Sequence, residues 1–142
     1  MTTNPPIHAT SVARRFADGW RAVLITGPSG AGKSDLALRL TTCGWRLIAD
    51  DYTHVTASGG ALYASAPASI TGKIEVRGVG IVAAGTRPLA RIALVAECAP
   101  TGVERLPEPE FRRFHGLDLP LIRLDPHQAS AVEKVAVALQ TL

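Results

Sequence analysis

Ala22-Val23-Leu24-Ile25-Thr26, followed at once by Gly27-Pro28-Ser29-Gly30-Ala31-Gly32-Lys33-Ser34, decides how this chain is read. The first five residues form an apolar run that stops at glycine, as a buried strand does. Beyond the glycines, Leu36, Ala37, Leu38 and Leu40 keep helical spacing, and Gly44 stands where it can close the helix. Strand, glycine loop and helix in this order, with Gly27 and Gly32-Lys33-Ser34 at the required spacing, make a phosphate-binding loop. Each residue type has a physical task there. The glycines let the backbone turn its N–H groups inward toward phosphate oxygens. Lys33 brings a mobile positive charge to the terminal phosphates, and the Ser34 hydroxyl can ligate Mg²⁺. The helix beginning at that point turns its positive end to the anion. A bare glycine-rich turn would need neither the strand before it nor the helix after it.

Working outward, Arg46-Leu47-Ile48-Ala49 reads as a second buried strand that delivers Asp50 and Asp51 at its end. Tyr52–Thr56 and Ala61–Ser65 flank Ser58-Gly59-Gly60, which reads as a hairpin. The segment from Ile74 to Val82 mixes charge with Gly78 and Gly80, and Arg91–Glu97 is a further strand candidate. Between Ala99 and Leu117 the composition turns to Pro, Glu and Arg, with Pro100, Pro107 and Pro109 excluding a continuous helix; an exposed loop is expected. Leu121–Leu124 reads as a late strand. Asp125-Pro126-His127-Gln128 has the pattern of a capped helix start, and the helix should reach about Leu139. Residues 1–10, with Pro5-Pro6, read as an irregular lead-in. The hairpin argues against a purely parallel sheet.

Size and composition bound the rest. A length of 142 residues suits one domain spanning 1–142. With 46% hydrophobic and 19% charged residues, disorder and a salt-bridged coiled coil are excluded. The net charge of +3 is spread along the chain, so no nucleic-acid partner is expected. No stretch reaches membrane-spanning length and no secretory leader is visible, so a cytoplasmic location away from membranes is expected. Cys43 and Cys98, in no metal-like spacing, read as reduced thiols.

Two further clusters carry chemistry. Asp50 and Asp51 repel each other, which can leave one as a proton acceptor and the other as an anion beside a metal. Adjacent side chains of a strand face opposite ways, so the pattern alone does not choose between them. Glu75 and Arg77, two apart in an extended segment, share a face. The carboxylate could join Ser34 at Mg²⁺ while the guanidinium holds phosphate oxygens, or the two could form a surface ion pair. A guanine-reading Asn-Lys-x-Asp stretch, usual in GTPases, is absent.

Three blocks together resemble the catalytic domain of the bacterial HPr kinase/phosphorylase family, which acts on a serine of the phosphocarrier protein HPr. They are Gly-Pro-Ser-Gly-Ala-Gly-Lys-Ser-Asp-Leu-Ala-Leu from Gly27, Gly-Trp-Arg-Leu-Ile-Ala-Asp-Asp from Gly44, and Ile-Glu-Val-Arg-Gly-Val-Gly-Ile from Ile74. The likeness is strong from His8 to about Ile81 and weak beyond. It implies an α/β fold of the HPr kinase and PEP carboxykinase kind, with a phosphate-loop core and a mixed sheet. It also implies an ATP- and Mg²⁺-dependent serine kinase, with phosphorylase activity as a second direction, that regulates a phosphotransferase system by phosphorelay signalling. The family assembles into hexamers, and its full-length members carry an N-terminal domain; by this resemblance a short form without that domain is expected. Carried over by residue, Lys33 binds phosphate, Ser34 and Glu75 hold Mg²⁺, and Asp51 takes the serine proton. His8 matches the family's histidine ahead of the phosphate loop, and Arg105 its arginine before the final strands. The family's late basic loop is altered here to Leu121-Ile122-Arg123-Leu124-Asp125, so phosphorolysis should be weaker or should draw on Arg105 and Arg123. The alternatives are a small-metabolite kinase, for which Arg112-Arg113 is a candidate lid cluster, and a nucleotide-responsive module that regulates a partner without turnover.

Overall fold

The computed structural model describes residues 5–67, 72–83 and 85–142. Among the described residues, ten strands and two helices follow in chain order: β1 (Thr10–Phe16), β2 (Gly19–Thr26), α1 (Lys33–Thr42), β3 (Arg46–Ala49), β4 (His54–Ser58), β5 (Ala61–Ser65), β6 (Lys73–Val76), β7 (Gly80–Ala83), β8 (Leu89–Cys98), β9 (Glu110–Phe114), β10 (Leu117–Leu124) and α2 (Ala131–Gln140).

The principal sheet is mixed, as expected, with strand order β3-β1-β2-β8-β10-β9. Parallel pairing of β2 with β8 and of β8 with β10 forms its centre, and antiparallel strands flank it. The β4–β5 hairpin joins through β5, which pairs with the first residues of β8. Because β2 is buried on both faces, its side chains divide by parity. Val23 and Ile25 enter a core with α1 and α2, whereas Ala22 and Leu24 enter a second core on the opposite face. In β8 the register slips by one residue beside Ala22 and Val23, where Ala22 pairs with Ile92 but Val23 with Leu94. That slip turns Leu94 and Ala96 to the helices and Val95 to the other core. Helix α1 buries Leu36, Ala37 and Leu40, and α2 buries Ala131, Val135 and Leu139 at steps of four. The separate β6–β7 hairpin packs over α1 through the buried Ile74.

The strand, glycine loop and helix stand where the sequence puts them. Helix α1 ends as anticipated: Gly44, at φ +92, lets the N–H of Trp45 reach back to the Leu40 carbonyl at 3.2 Å. Three expectations are corrected. The expected exposed loop between Ala99 and Leu117 contains an edge strand, β9, antiparallel to β10 around the Gly116 turn. Its first four residues are exposed and only Phe114 is half-buried, so no hydrophobic alternation announced it. The expected helix start at Asp125 is a turn, with α2 beginning only at Ala131; Asp125 Oδ1 accepts from the His127 N–H at 2.9 Å, and Gln128 is bound to Lys134 instead of closing a capping box. The guanidinium of Arg39 holds that turn by donating to the carbonyls of Pro126 (2.7 Å) and Gln128 (3.1 Å). Third, β1 was not foreseen. Of the expected lead-in, residues 1–4 lie outside the described residues, Ile7 bridges to Thr53, Ala9 is fully buried, and Thr10 begins the strand. Among the described residues, no helix is long and apolar enough to cross a membrane.

Candidate functional site

Because β2 ends in the middle of the sheet, Gly27 must leave it closely over β8. Its φ is +142°, and a Cβ there would stand 3.0 Å from the Cβ of Cys98. Gly32, at φ +104, opens α1 in the left-handed region, and a Cβ would meet Pro126 at 3.2 Å and His127 at 3.3 Å. Both positions therefore require glycine for conformation and for space. Between them the Ala31 N–H closes a turn on the Pro28 carbonyl at 3.1 Å. Lys33 is 6% exposed, and its ammonium donates to the carbonyls of Gly27 (2.8 Å) and Pro28 (2.9 Å), so the cation lies against the loop. The first-turn N–H groups of α1 have no intrahelical acceptor and add a fixed positive field at the same place.

A cleft of about 450 Å³ opens in front of this loop. Ser29, Gly30, Gly32, Lys33 and Ser34 of the loop line it together with Asp50, Asp51, Glu75, Arg77 and His127. The two aspartates at the end of β3 are handled differently. Asp50 is 8% exposed, and its Oδ1 accepts from Ser34 Oγ at 2.6 Å and from Thr10 Oγ1 at 3.1 Å. The Glu75 N–H points at its Oδ2 from 3.4 Å. Asp51 sits at φ +68°, unusual for a residue with a side chain, and its carboxylate is exposed, with Oδ1 2.8 Å from His8 Nε2. The His8 ring in turn leans on Tyr52, centroids 5.4 Å apart. A turn at the strand end thus brings both neighbours to one cleft, which strict alternation could not do.

The residues fit a divalent cation. A Ser34 hydroxyl whose proton goes to Asp50 keeps its lone pairs for a metal, the Asp50 carboxylate supplies a hard oxygen donor beside it, and Glu75 lines the same cleft. Arg77 lines the cleft, as do the loop residues Ser29, Gly30, Gly32, Lys33 and Ser34. Arg105 does not: it is exposed in the connection between β8 and β9. Arg123 is engaged elsewhere, bound to Glu97 and, at 2.9 Å, to Glu110, whose carboxyl that hydrogen bond holds below its usual range. Arg113 pairs with Asp118 at 2.9 Å and Arg112 lies over Phe114, so that pair belongs to the edge strand. Behind the loop, burial pushes the Cys98 thiol up to about 11, with Lys33 opposing. Three site residues escaped sequence reasoning in these places: Asp50 as the partner of Ser34, Thr10 between the aspartates, and His127. For Thr10 the signal lies in Asp18-Gly19, a hairpin turn that predicts a strand before Trp20.

Residues 20–87 match the family model described as the HPr serine kinase C-terminal domain. An HPr kinase/phosphorylase of Clostridium botulinum is 50% identical over 60 residues, which is 42% of this chain and 20% of the relative. One from a Geobacillus species is 43% identical over 83 residues, 53% of this chain and 27% of the relative. The chain thus spans only about a quarter of the length of such relatives. The fold is that of the Hpr(Ser) kinase/phosphatase from Coxiella burnetii, with a TM-score of 0.79 and 21% identity over 97% of this chain and 89% of that one. The matched stretch holds the phosphate loop, both aspartates, Glu75 and Arg77, so the chain's similarity to the HPr serine kinase C-terminal domain family covers the candidate site.

Proposed function

We propose that residues 1–142 form one catalytic unit of an ATP- and Mg²⁺-dependent protein-serine kinase acting on an HPr-like phosphocarrier protein. The observation that carries this reading is the Ser34–Asp50 hydrogen bond at the head of the phosphate loop, with the Asp51–His8 pair exposed in the same cleft. One half is a metal-nucleotide site and the other a base open to a protein substrate. The names of the curated relatives support the substrate class.

Charge decides the need for a metal. The cleft sets Lys33 and Arg77 against Asp35, Asp50, Asp51 and Glu75, so a polyphosphate alone would meet net repulsion. Ser34, Glu75 and Asp50 would hold Mg²⁺, which when bound would supply the balancing charge and Lewis acidity toward the terminal phosphoryl group. The loop from Gly27 to Ser34, including Pro28, Ser29, Gly30 and Ala31, wraps the phosphates with its N–H groups. Lys33 leaves its loop carbonyls for phosphate oxygens, and Arg77 steadies the transferred group. Asp51 accepts the proton of the acceptor serine as its oxygen bonds to phosphorus and the bond to the departing ADP oxygen breaks. His8 orients that carboxylate. Arg105, on an exposed loop, would reach the site only as the carrier docks.

The working location is the cytoplasm, with a homo-oligomer, a hexamer by family likeness, and neither nucleic acid nor membrane as partner. Incubating the purified chain with Mg-ATP and the HPr-like proteins of its own organism, then locating phosphate by mass spectrometry, tests the reading. Phosphoserine on the carrier is expected, and should vanish in Lys33→Ala and Ser34→Ala. Phosphate on a small metabolite, or nucleotide binding without transfer, would replace it with a metabolite kinase or a regulatory module.

A further inference from the structure

The side chain of Thr10 is fully buried, 41 residues before Asp51, yet its hydroxyl touches both aspartates. Its proton goes to Asp50 Oδ1 at 3.1 Å, and its oxygen accepts the Asp51 N–H at 3.2 Å. One hydroxyl has one proton and free lone pairs, so the two bonds are compatible and direct each other: with the proton committed to Asp50, a lone pair faces Asp51. A network beneath fixes Thr10 itself. The backbones of Ile7 and Thr53 exchange bonds of 2.9 and 3.0 Å, Thr53 Oγ1 donates to the Ala9 carbonyl at 2.8 Å, and Ser11 Oγ lies 2.9 Å from Thr53 Oγ1.

From this we infer that Thr10 is a positioning residue that separates the roles of the neighbouring aspartates. Its hydroxyl fixes the Asp50 carboxylate toward Ser34 for the metal, and it holds the Asp51 backbone at φ +68°, which swings that carboxylate out to His8. A non-glycine residue in the left-handed region is strained by about 1–2 kcal/mol and needs such a tie. The inference rests on the kinase reading for its functional half, while its structural half concerns the ligand-free protein.

The test compares Thr10→Ser with Thr10→Ala, since both lose the methyl group and differ only in the hydroxyl. Amide hydrogen exchange at Asp51 in the ligand-free protein, read by NMR, should match wild type in Thr10→Ser and be at least tenfold faster in Thr10→Ala. The Mg²⁺ concentration giving half-maximal ATP affinity should rise about 10–100-fold in Thr10→Ala, the range for residues that orient metal ligands, and recover in Thr10→Ser. Equal exchange and equal Mg²⁺ dependence in the two variants would overturn the inference. Faster exchange with an unchanged Mg²⁺ response would overturn the positioning role and leave a structural hydroxyl. A wild-type protein that binds no Mg-ATP, while the exchange difference persists, would instead refute the kinase reading and with it the metal half of the inference.

Discussion

Replacing Gly27 by alanine tests the seat of the phosphate loop without reference to any ligand. Two costs add. At φ +142° a residue with a Cβ carries about 1–3 kcal/mol of backbone strain. The new methyl would stand 3.0 Å from Cys98 Cβ and 3.3 Å from the Cys98 carbonyl oxygen, in the middle of a sheet where neither can retreat, and such overpacking costs about 1–3 kcal/mol. The expected loss is about 2–6 kcal/mol, a large share of the roughly 5–15 kcal/mol of a typical domain. For a chain of this size about 3–5 °C follows per kcal/mol, so Tm should fall by roughly 6–30 °C. Thermal unfolding followed by circular dichroism measures it. A double-mutant cycle sharpens the test, because the collision is with Cβ and not with the sulfur. Cys98→Ala should leave most of the loss in place, whereas Cys98→Gly should recover part of it. A Gly27→Ala protein melting within 1 °C of wild type, or one rescued by Cys98→Ala, would refute the reasoning.

Asp51→Asn should bind Mg-ATP normally and transfer phosphate about 10²–10⁴-fold more slowly, because the amide keeps the shape but accepts no serine proton; an inactive Asp50→Asn beside a near-normal Asp51→Asn would exchange the two assignments. In native protein at pH 8 a thiol reagent should label the exposed Cys43 quickly and spare Cys98, and unfolding should release the second thiol. The Cys98 thiol is raised from 9.0 to about 11 by burial, so above pH 9 it ionises in the unfolded chain before it does in the folded one. Stability should therefore decline between pH 9 and 11, and Cys98→Ser should flatten that decline. Phosphorolysis, followed as pyrophosphate release from the phosphorylated carrier, should be weak. It should fall further in Arg105→Ala and change little in Arg123→Ala, whose guanidinium is held by Glu97 and Glu110; an effect of Arg123→Ala larger than that of Arg105→Ala would reverse the ranking.

The parts of the fold that could be read from sequence are those whose signals are local. Residues 22–44 carry a strand, a loop and a helix in contiguous code, and the Gly59-Gly60 turn, with φ of +56° and +80°, announces its hairpin in two residues. Strand β1 failed because Arg14 and Arg15 break its apolar run, although Ala13 beside them is fully buried. Strand β9 failed for the opposite reason: Glu110-Phe111-Arg112-Arg113 buries nothing, and only pairing with β10 makes it a strand. At the site, only the family resemblance chose Asp51 over Asp50, but by residue type Lys33, Ser34, the aspartate pair, Glu75 and Arg77 could be named as candidates. Their partners could not. The contacts His8–Asp51 and Thr10–Asp50 join segments that the docking of β1 beside β3 brings together, and Ser34–Asp50 joins the head of α1 to the end of β3.

The parallel pairing of β2 with β8 also bears on how fast the molecule can form. Leu24 faces Val95 and Ile25 faces Ala96, so the strand that carries the phosphate loop gains this central neighbour only after half the chain has been brought back to it. Closing such a loop costs entropy before any burial offsets it, and folds dominated by distant pairings reach the native state in milliseconds to seconds rather than microseconds. The helix α1 and the β4–β5 turn can form early from their own sequence. The geometry at Gly27 cannot, since the Cys98 surface against which it turns arrives with β8. Nucleotide-binding competence should consequently be among the last properties to appear during refolding, lagging behind the helical signal in a stopped-flow experiment.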